Sequence, residues 1–131
     1  MTDTDTTRSV YAGLNGNDIS AAVSVFDPQV EWTDPAGGGT YRGLAAVTAH
    51  FSKARNTWAE GSCEPERFVV VGDSVVAFVH VRVRLKGSTD WIEGRLADVY
   101  RFRDGKVIRG RSFLDAQEAL AWAGGKGADA R

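Results

Sequence analysis

Apolar positions recur along this chain with two different periods, and the change between them falls near Gly61. Ahead of it the spacing is mostly helical. Val10, Tyr11 and Leu14 share one side of a short helix predicted from about Thr6 to Leu14 and ended by Asn15-Gly16-Asn17. Asp18 stands as an N-cap, and Ile19, Ala22, Val23 and Phe26 follow at helical spacing until Asp27-Pro28 stops the second helix. Val30-Glu31-Trp32-Thr33-Asp34 then alternates as a strand, with Val30, Trp32 and Asp34 on one side. Leu44, Val47, Phe51, Ala54 and Trp58 form one helical stripe, which predicts the longest helix over Leu44 to Trp58.

Beyond Gly61 the period is two. Glu66 to Gly72, Ser74 to Leu85, Asp90 to Arg103 and Lys106 to Leu114 read as four successive strands, joined by Gly72-Asp73, Lys86-Gly87-Ser88-Thr89 and Asp104-Gly105. Asp115 caps a last short helix running through Trp122. Helices first and a long antiparallel meander afterwards predict an α+β fold in which the helices cover the apolar face of a strongly curved antiparallel sheet. One domain over 8–123 is expected, between a flexible N-terminus at 1–7 and a flexible Gly-rich tail at 124–131.

Each face of the predicted sheet has its own chemistry. The apolar face carries Ala77, Val79, Val81, Val83 and Leu85, then Ile92, Leu96, Asp98, Tyr100 and Phe102, then Ile108, Gly110, Ser112 and Leu114. Small residues among bulky ones there are what a sheet lining a pocket shows. The opposite face holds His80, Arg82, Arg84, Arg95, Arg101, Arg103, Arg109 and Arg111 among Phe78, Trp91, Glu93, Val99 and Phe113. Arginines beside large aromatics suit a subunit interface, so a homodimer through this face is expected.

Composition narrows the function classes. The 131 residues, 43% hydrophobic and 25% charged, fit one domain with a core of its own. A net charge of -1 gives no general attraction to nucleic acid or to acidic membranes, and no apolar run approaches the length of a membrane span. The first eight residues lack the basic flank and apolar stretch of a secretory signal, so a cytoplasmic protein is expected. Cys63 is the single cysteine, without the companions of a disulfide or metal site, and no metal or other cofactor is expected. The loop Pro35 to Gly43 has four glycines but lacks the Lys-Ser/Thr and strand-turn-helix setting of a phosphate cradle.

Two carboxylates stand out. Asp98 is the only charge on the apolar face of its strand, which costs several kcal/mol unless the group is neutral or paired. It is either a pocket group or the buried partner of a residue such as Arg42. Asp34 shares a side with Trp32 but also precedes Pro35 and a glycine loop, where aspartates form turns. His50 flanks the long helix's apolar stripe and is expected to be a partly exposed helix residue; His80 belongs to the arginine face, and Asp115 is expected to cap its helix.

Three segments stand out together: Asn17-Asp18-Ile19 leading to Phe26; Val30-Glu31-Trp32-Thr33-Asp34-Pro35 followed by Tyr41-Arg42-Gly43; and Asp98-Val99-Tyr100-Arg101-Phe102-Arg103-Asp104-Gly105-Lys106-Val107. In this order and spacing they resemble a superfamily of cone-shaped α+β domains, with N-terminal helices packed on the concave face of the sheet, that includes nuclear transport factor-like proteins, ketosteroid isomerases, SnoaL-like polyketide cyclases and limonene epoxide hydrolases. The resemblance spans about Arg8 to Trp122. Against ketosteroid isomerases, Asp34 matches the general base that precedes a proline, and Asp98 matches the protonated aspartate that donates to the oxyanion. The isomerases' helix-borne tyrosine is matched by Tyr11 if the Asn15-Gly16-Asn17 turn differs in length by one residue; without a gap the position is Val10. The resemblance implies cofactor-independent acid/base chemistry on a hydrophobic carbonyl compound, with Trp32, Val83, Tyr100, Phe102 and Leu114 as substrate-binding residues. A non-catalytic ligand-binding or dimerisation module of the same fold is the alternative. Epoxide hydrolysis ranks last, because it needs an Asp-Arg-Asp arrangement and no arginine lies on the apolar faces of the central strands.

Overall fold

A computed structural model of the chain describes residues 2–125. Helix α1 (Asp3–Asn15) opens with a capping box, in which the Asp5 amide donates to Thr2 Oγ1 and the Thr2 amide donates to Asp5 Oδ2. The helix therefore starts three residues ahead of the predicted Thr6, and Thr7 is fully buried, so the expected flexible lead at 1–7 is helical from Asp3. Asp18 caps the short α2 (Ile19–Val23) by accepting from the Ala21 amide. Phe26, predicted to end that helix, instead begins β1 (Phe26–Thr33).

After β1 come a one-turn 3-10 helix (Pro35–Gly37), β2 (Thr40–Arg42) and α3 (Leu44–Arg55). The long helix ends three residues before the expected Trp58, because Trp58 begins β3 (Trp58–Val71). That strand extends well ahead of the predicted Glu66 and contains Pro65. It lies at the edge of the sheet, where a missing N–H leaves no second neighbour unpaired, and the register shifts between Pro65 and Arg67. The remaining elements match their prediction within two residues: β4 (Ser74–Leu85), β5 (Trp91–Arg103), β6 (Lys106–Phe113) and α4 (Ala116–Ala123). Asp104 and Gly105 turn β5 into β6 with φ of 52° and 78°, the left-handed pair that a tight hairpin requires.

The six strands form a curved, open sheet in the order β2-β1-β6-β5-β4-β3. All neighbours are antiparallel except β1 and β6, which run parallel, so the sheet is not antiparallel throughout as the sequence led us to expect. Helices α1, α2 and α3 cover the concave face, where Val10, Tyr11, Ala22, Val47 and Phe51 pack on Val30, Trp32, Val79, Tyr100 and Phe102. Helix α4 packs on the convex face, burying Ala119, Trp122 and Ala123 against Val76, Ala97, Val99 and Phe113.

Part of the arginine-rich face is thus covered by the chain's own last helix. Trp122 lies under the guanidinium groups of Arg101 and Arg109, at 4.9 and 5.6 Å from its ring centroid. Of the tail predicted at 124–131, residues 126–131 lie outside the described residues. Among the described residues no helix is long and apolar enough to cross a membrane.

Candidate active site

Alternation along β5 turns Asp98 toward the concave side, directly opposite Ala77 on β4 and Ser112 on β6. These two small partners leave room around the carboxyl. It is 6% exposed and accepts two short hydrogen bonds, from Tyr11 Oη to Oδ2 and from Ser112 Oγ to Oδ1, both 2.6 Å. Tyr100 Oη donates in turn to Tyr11 Oη at 2.9 Å. The polar path therefore runs Tyr100 to Tyr11 to Asp98.

Burial is the largest influence on Asp98 and raises its pKa above the usual carboxylate value; the Ser112 and Tyr11 hydroxyls oppose the rise, and the charge of Asp34 adds to it. Burial, followed by the charge of Asp98, also raises the Tyr11 and Tyr100 hydroxyls well above the ordinary phenol value. Both phenols stay protonated and act as donors.

Asp34 follows the last residue of β1, in extended conformation, and Pro35 starts the 3-10 turn. Its backbone amide donates to the Gly39 carbonyl at 2.9 Å, which folds the glycine loop back on itself. Oδ1 lies 3.1 Å from Trp32 Nε1 and 2.9 Å from Nε2 of His50, a residue of α3. An ionised carboxylate only accepts, so Nε2 carries the proton when Asp34 is ionised. The His50 ring stacks on Tyr41 with centroids 3.9 Å apart and 13° between planes, which fixes its orientation. Among the described residues nothing donates to Asp34 Oδ2.

Asp34 and Asp98 line one cavity of about 330 Å³ between α3 and the sheet. Its walls are chiefly apolar, from Leu14, Trp32, Phe51, Trp58 and Leu96, with His50, Arg55 and Ser112 as further polar groups. Gly110 of β6 holds the Trp32 ring in place: a β-carbon there would collide with it. Phe51 meets the same ring edge-on at 5.1 Å.

The structure brings together Asp34, Asp98 and Trp32 at the cavity, and seats Tyr11 against Asp98 but behind it. Tyr100 and Phe102 are buried in the core and do not line the cavity. Val83 is buried opposite Gly61, also away from it. Leu114, just past the end of β6, is 65% exposed and borders a separate recess with Arg111 and Glu118; it is not a cavity residue. Ile92, paired with Val83 toward the far end of the β4–β5 hairpin, is half exposed. Arg42 lies at the surface near Glu31, 3.8 Å away, and does not pair with Asp98. Asp115 caps α4 as expected, accepting from the Gln117 and Glu118 amides.

Two cavity residues escaped the sequence reading. His50 was expected to be a bystander, yet Val47, His50, Phe51 and Ala54 fall at i, i+3, i+4 and i+7 and put it on the inward stripe. Arg55 gives no such signal, because its position follows from where the helix ends.

The family model of the SnoaL-like domain matches residues 7–110. No curated protein matches the sequence significantly. Among solved structures, TerC co-crystallized with polyporic acid superimposes with a TM-score of 0.76 at 26% identity, over 88% of this chain and 93% of that one. An NTF2-like protein of unknown function from Burkholderia pseudomallei gives 0.78 at 24%, over 92% and 96%. A protein with a ketosteroid isomerase-like fold from Catenulispora acidiphila, in complex with trimethylamine, gives 0.78 at 17%, over 94% and 95%. The last two show likeness of fold alone.

Proposed function

The chain belongs to the SnoaL-like domain family, and from that premise we propose that it is a cofactor-independent enzyme of the isomerase or cyclase type, acting on a hydrophobic carbonyl compound held in the cavity. One observation carries the reading: two carboxyl groups in opposite surroundings open on the same apolar space. Asp34 is partly exposed and tied through Oδ1 to N–H donors, whereas Asp98 is buried among hydroxyls with its proton favoured by desolvation.

The division of labour follows. Asp34 Oδ2 removes a proton α to the substrate carbonyl, and the electron pair moves onto the carbonyl oxygen. Neutral Asp98 donates a hydrogen bond to that oxygen as charge develops. Tyr11 and Ser112 hold the Asp98 carboxyl in place, and His50 holds Asp34. The enolate is then reprotonated at a different carbon by Asp34, or attacks a second carbonyl carbon of the same molecule, whose π pair moves onto its oxygen and takes up the proton that Asp34 removed. A relative that was crystallised with polyporic acid lends support to a small organic ligand.

A non-catalytic binding module is the second reading, and it has its own support: both Asp98 oxygens are already engaged by Tyr11 and Ser112. For the assembly, we propose a homodimer through the part of the convex face that α4 leaves open, around His80, Arg82, Trp91 and Glu93. There Arg82 stacks on Trp91 at 3.9 Å and His80 meets Glu93 at 2.7 Å.

The test is a fluorescence titration with 2-naphthol, whose hydroxyl takes the place of the enolate oxygen, against wild type and Asp98→Asn. Saturable binding that weakens about tenfold in the variant, the size of one charge-assisted hydrogen bond, supports the assignment. Binding that ignores the substitution removes Asp98 from the oxyanion role, and no binding to wild type removes the cavity as a small-molecule site.

A further inference from the structure

Arg55, the last residue of α3, is the one arginine among the described residues that lines the cavity. Two anchors fix it. Nε donates to the Leu14 carbonyl at 2.7 Å, and the guanidinium lies over the Trp58 ring, 4.6 Å from its centroid. Those anchors occupy Nε and one face of the plane. Among the described residues no carboxylate comes within ion-pair distance of the guanidinium, although Asp34 and Asp98 line the same cavity. The helix C-terminus and Trp58 explain why a cation is tolerated at this place. They do not explain a pre-oriented fork on the cavity wall whose two terminal nitrogens meet no partner among the described residues.

We propose that Arg55 is the anion-recognition residue of the cavity, so that the substrate is a hydrophobic carbonyl compound that also carries a carboxylate. A guanidinium held by Nε and by stacking presents its terminal nitrogens as a planar pair of donors, which a carboxylate matches and a neutral oxygen does not. The assignment also divides the cavity. Asp34 and Asp98 act at the reacting carbonyl, and Arg55 holds the far end of the molecule and sets its direction. The ring of Trp58, already covered on one side by Arg55, borders the same space as part of the apolar wall. This inference rests on the cavity being a small-molecule site, as proposed above.

The test compares two ligands of one shape, 2-naphthol and 6-hydroxy-2-naphthoate, by fluorescence titration near neutral pH against wild type, Arg55→Gln and Arg55→Lys. In wild type the naphthoate binds about 10- to 100-fold more tightly than the naphthol, the range of one charge-assisted pair. That preference collapses in Arg55→Gln and is partly kept in Arg55→Lys. In wild type it also shrinks as salt is raised, a readout that requires no variant to fold. Equal affinity of the two ligands for wild type, or a preference that survives Arg55→Gln, overturns the assignment of Arg55 while leaving the cavity standing. Failure of both ligands to bind wild type overturns the cavity reading itself, and this inference with it.

Discussion

The hydroxyl path Tyr100 to Tyr11 to Asp98 has a direction, and the direction makes two similar substitutions unequal. Tyr100→Phe removes the terminal donor; Tyr11 still donates to Asp98, and one neutral hydrogen bond is lost, about 1 kcal/mol. Tyr11→Phe removes the middle member. The bond to Asp98 disappears, again about 1 kcal/mol, and the Tyr100 hydroxyl, in a side chain only 1% exposed, is left with no acceptor at about 1–3 kcal/mol more. The expected cost of Tyr11→Phe is therefore about 2–4 kcal/mol, two or more times that of Tyr100→Phe. In the double variant the stranded hydroxyl is gone, so its cost falls below the sum of the singles by about 1 kcal/mol or more. Urea denaturation with an unchanged m-value measures all three. Equal costs for the two single variants, or strict additivity, would refute the directed path and with it the account of how Asp98 is held.

Three further outcomes follow from the same geometry. The folded-state pKa of Asp98 is raised above its ordinary 3.8, so the native state keeps a proton that the unfolded chain releases first; wild-type stability falls as pH rises from that value through the raised one and then levels off, and urea midpoints across pH show a flatter profile for Asp98→Asn. The Cys63 thiol is pushed up to about 12, chiefly by burial, so at mildly alkaline pH a thiol-specific reagent reacts slowly with the folded protein and rapidly once it is unfolded in urea. Gly110→Ala drives a methyl into the Trp32 ring, destabilises the protein by about 1–3 kcal/mol and weakens 2-naphthol binding by moving a cavity wall; unchanged affinity and stability would show that Trp32 yields freely.

Where strands alternate strictly, the sequence carries both the fold and the site. Asp98 is legible because it is the one charged residue on an apolar face, and Asp34 because it shares a side with Trp32 at the end of β1. The failures are of two physical kinds. Alternation records which side a residue takes but not how far the covering helices reach, so Ile92 and Leu114 sit on the expected face or at its end and are exposed, while Tyr100 and Phe102 are sealed beneath the core. Helix ends depend on tertiary contacts, and this hid the start of β3 at Trp58 and the place of Arg55. His50 is a different case, since the inward stripe of α3 already contained it. The parallel pairing of β1 with β6 is a long-range choice with no local trace, and the partial covering of the arginine face depends on where α4 docks.

The central claim is that Asp34 and Asp98 act together on a carbonyl compound in one cavity, and proton exchange tests it most directly. A flat hydrophobic ketone, 2-tetralone, is followed by NMR in deuterated buffer with wild type, Asp34→Asn, Asp98→Asn and a buffer blank. The account predicts exchange of the protons α to the carbonyl at a rate above the blank with wild type, with Asp34→Asn returned to the blank and Asp98→Asn reduced by about 10- to 100-fold. Exchange no faster than the blank with wild type, or exchange unaffected by Asp34→Asn, would contradict it.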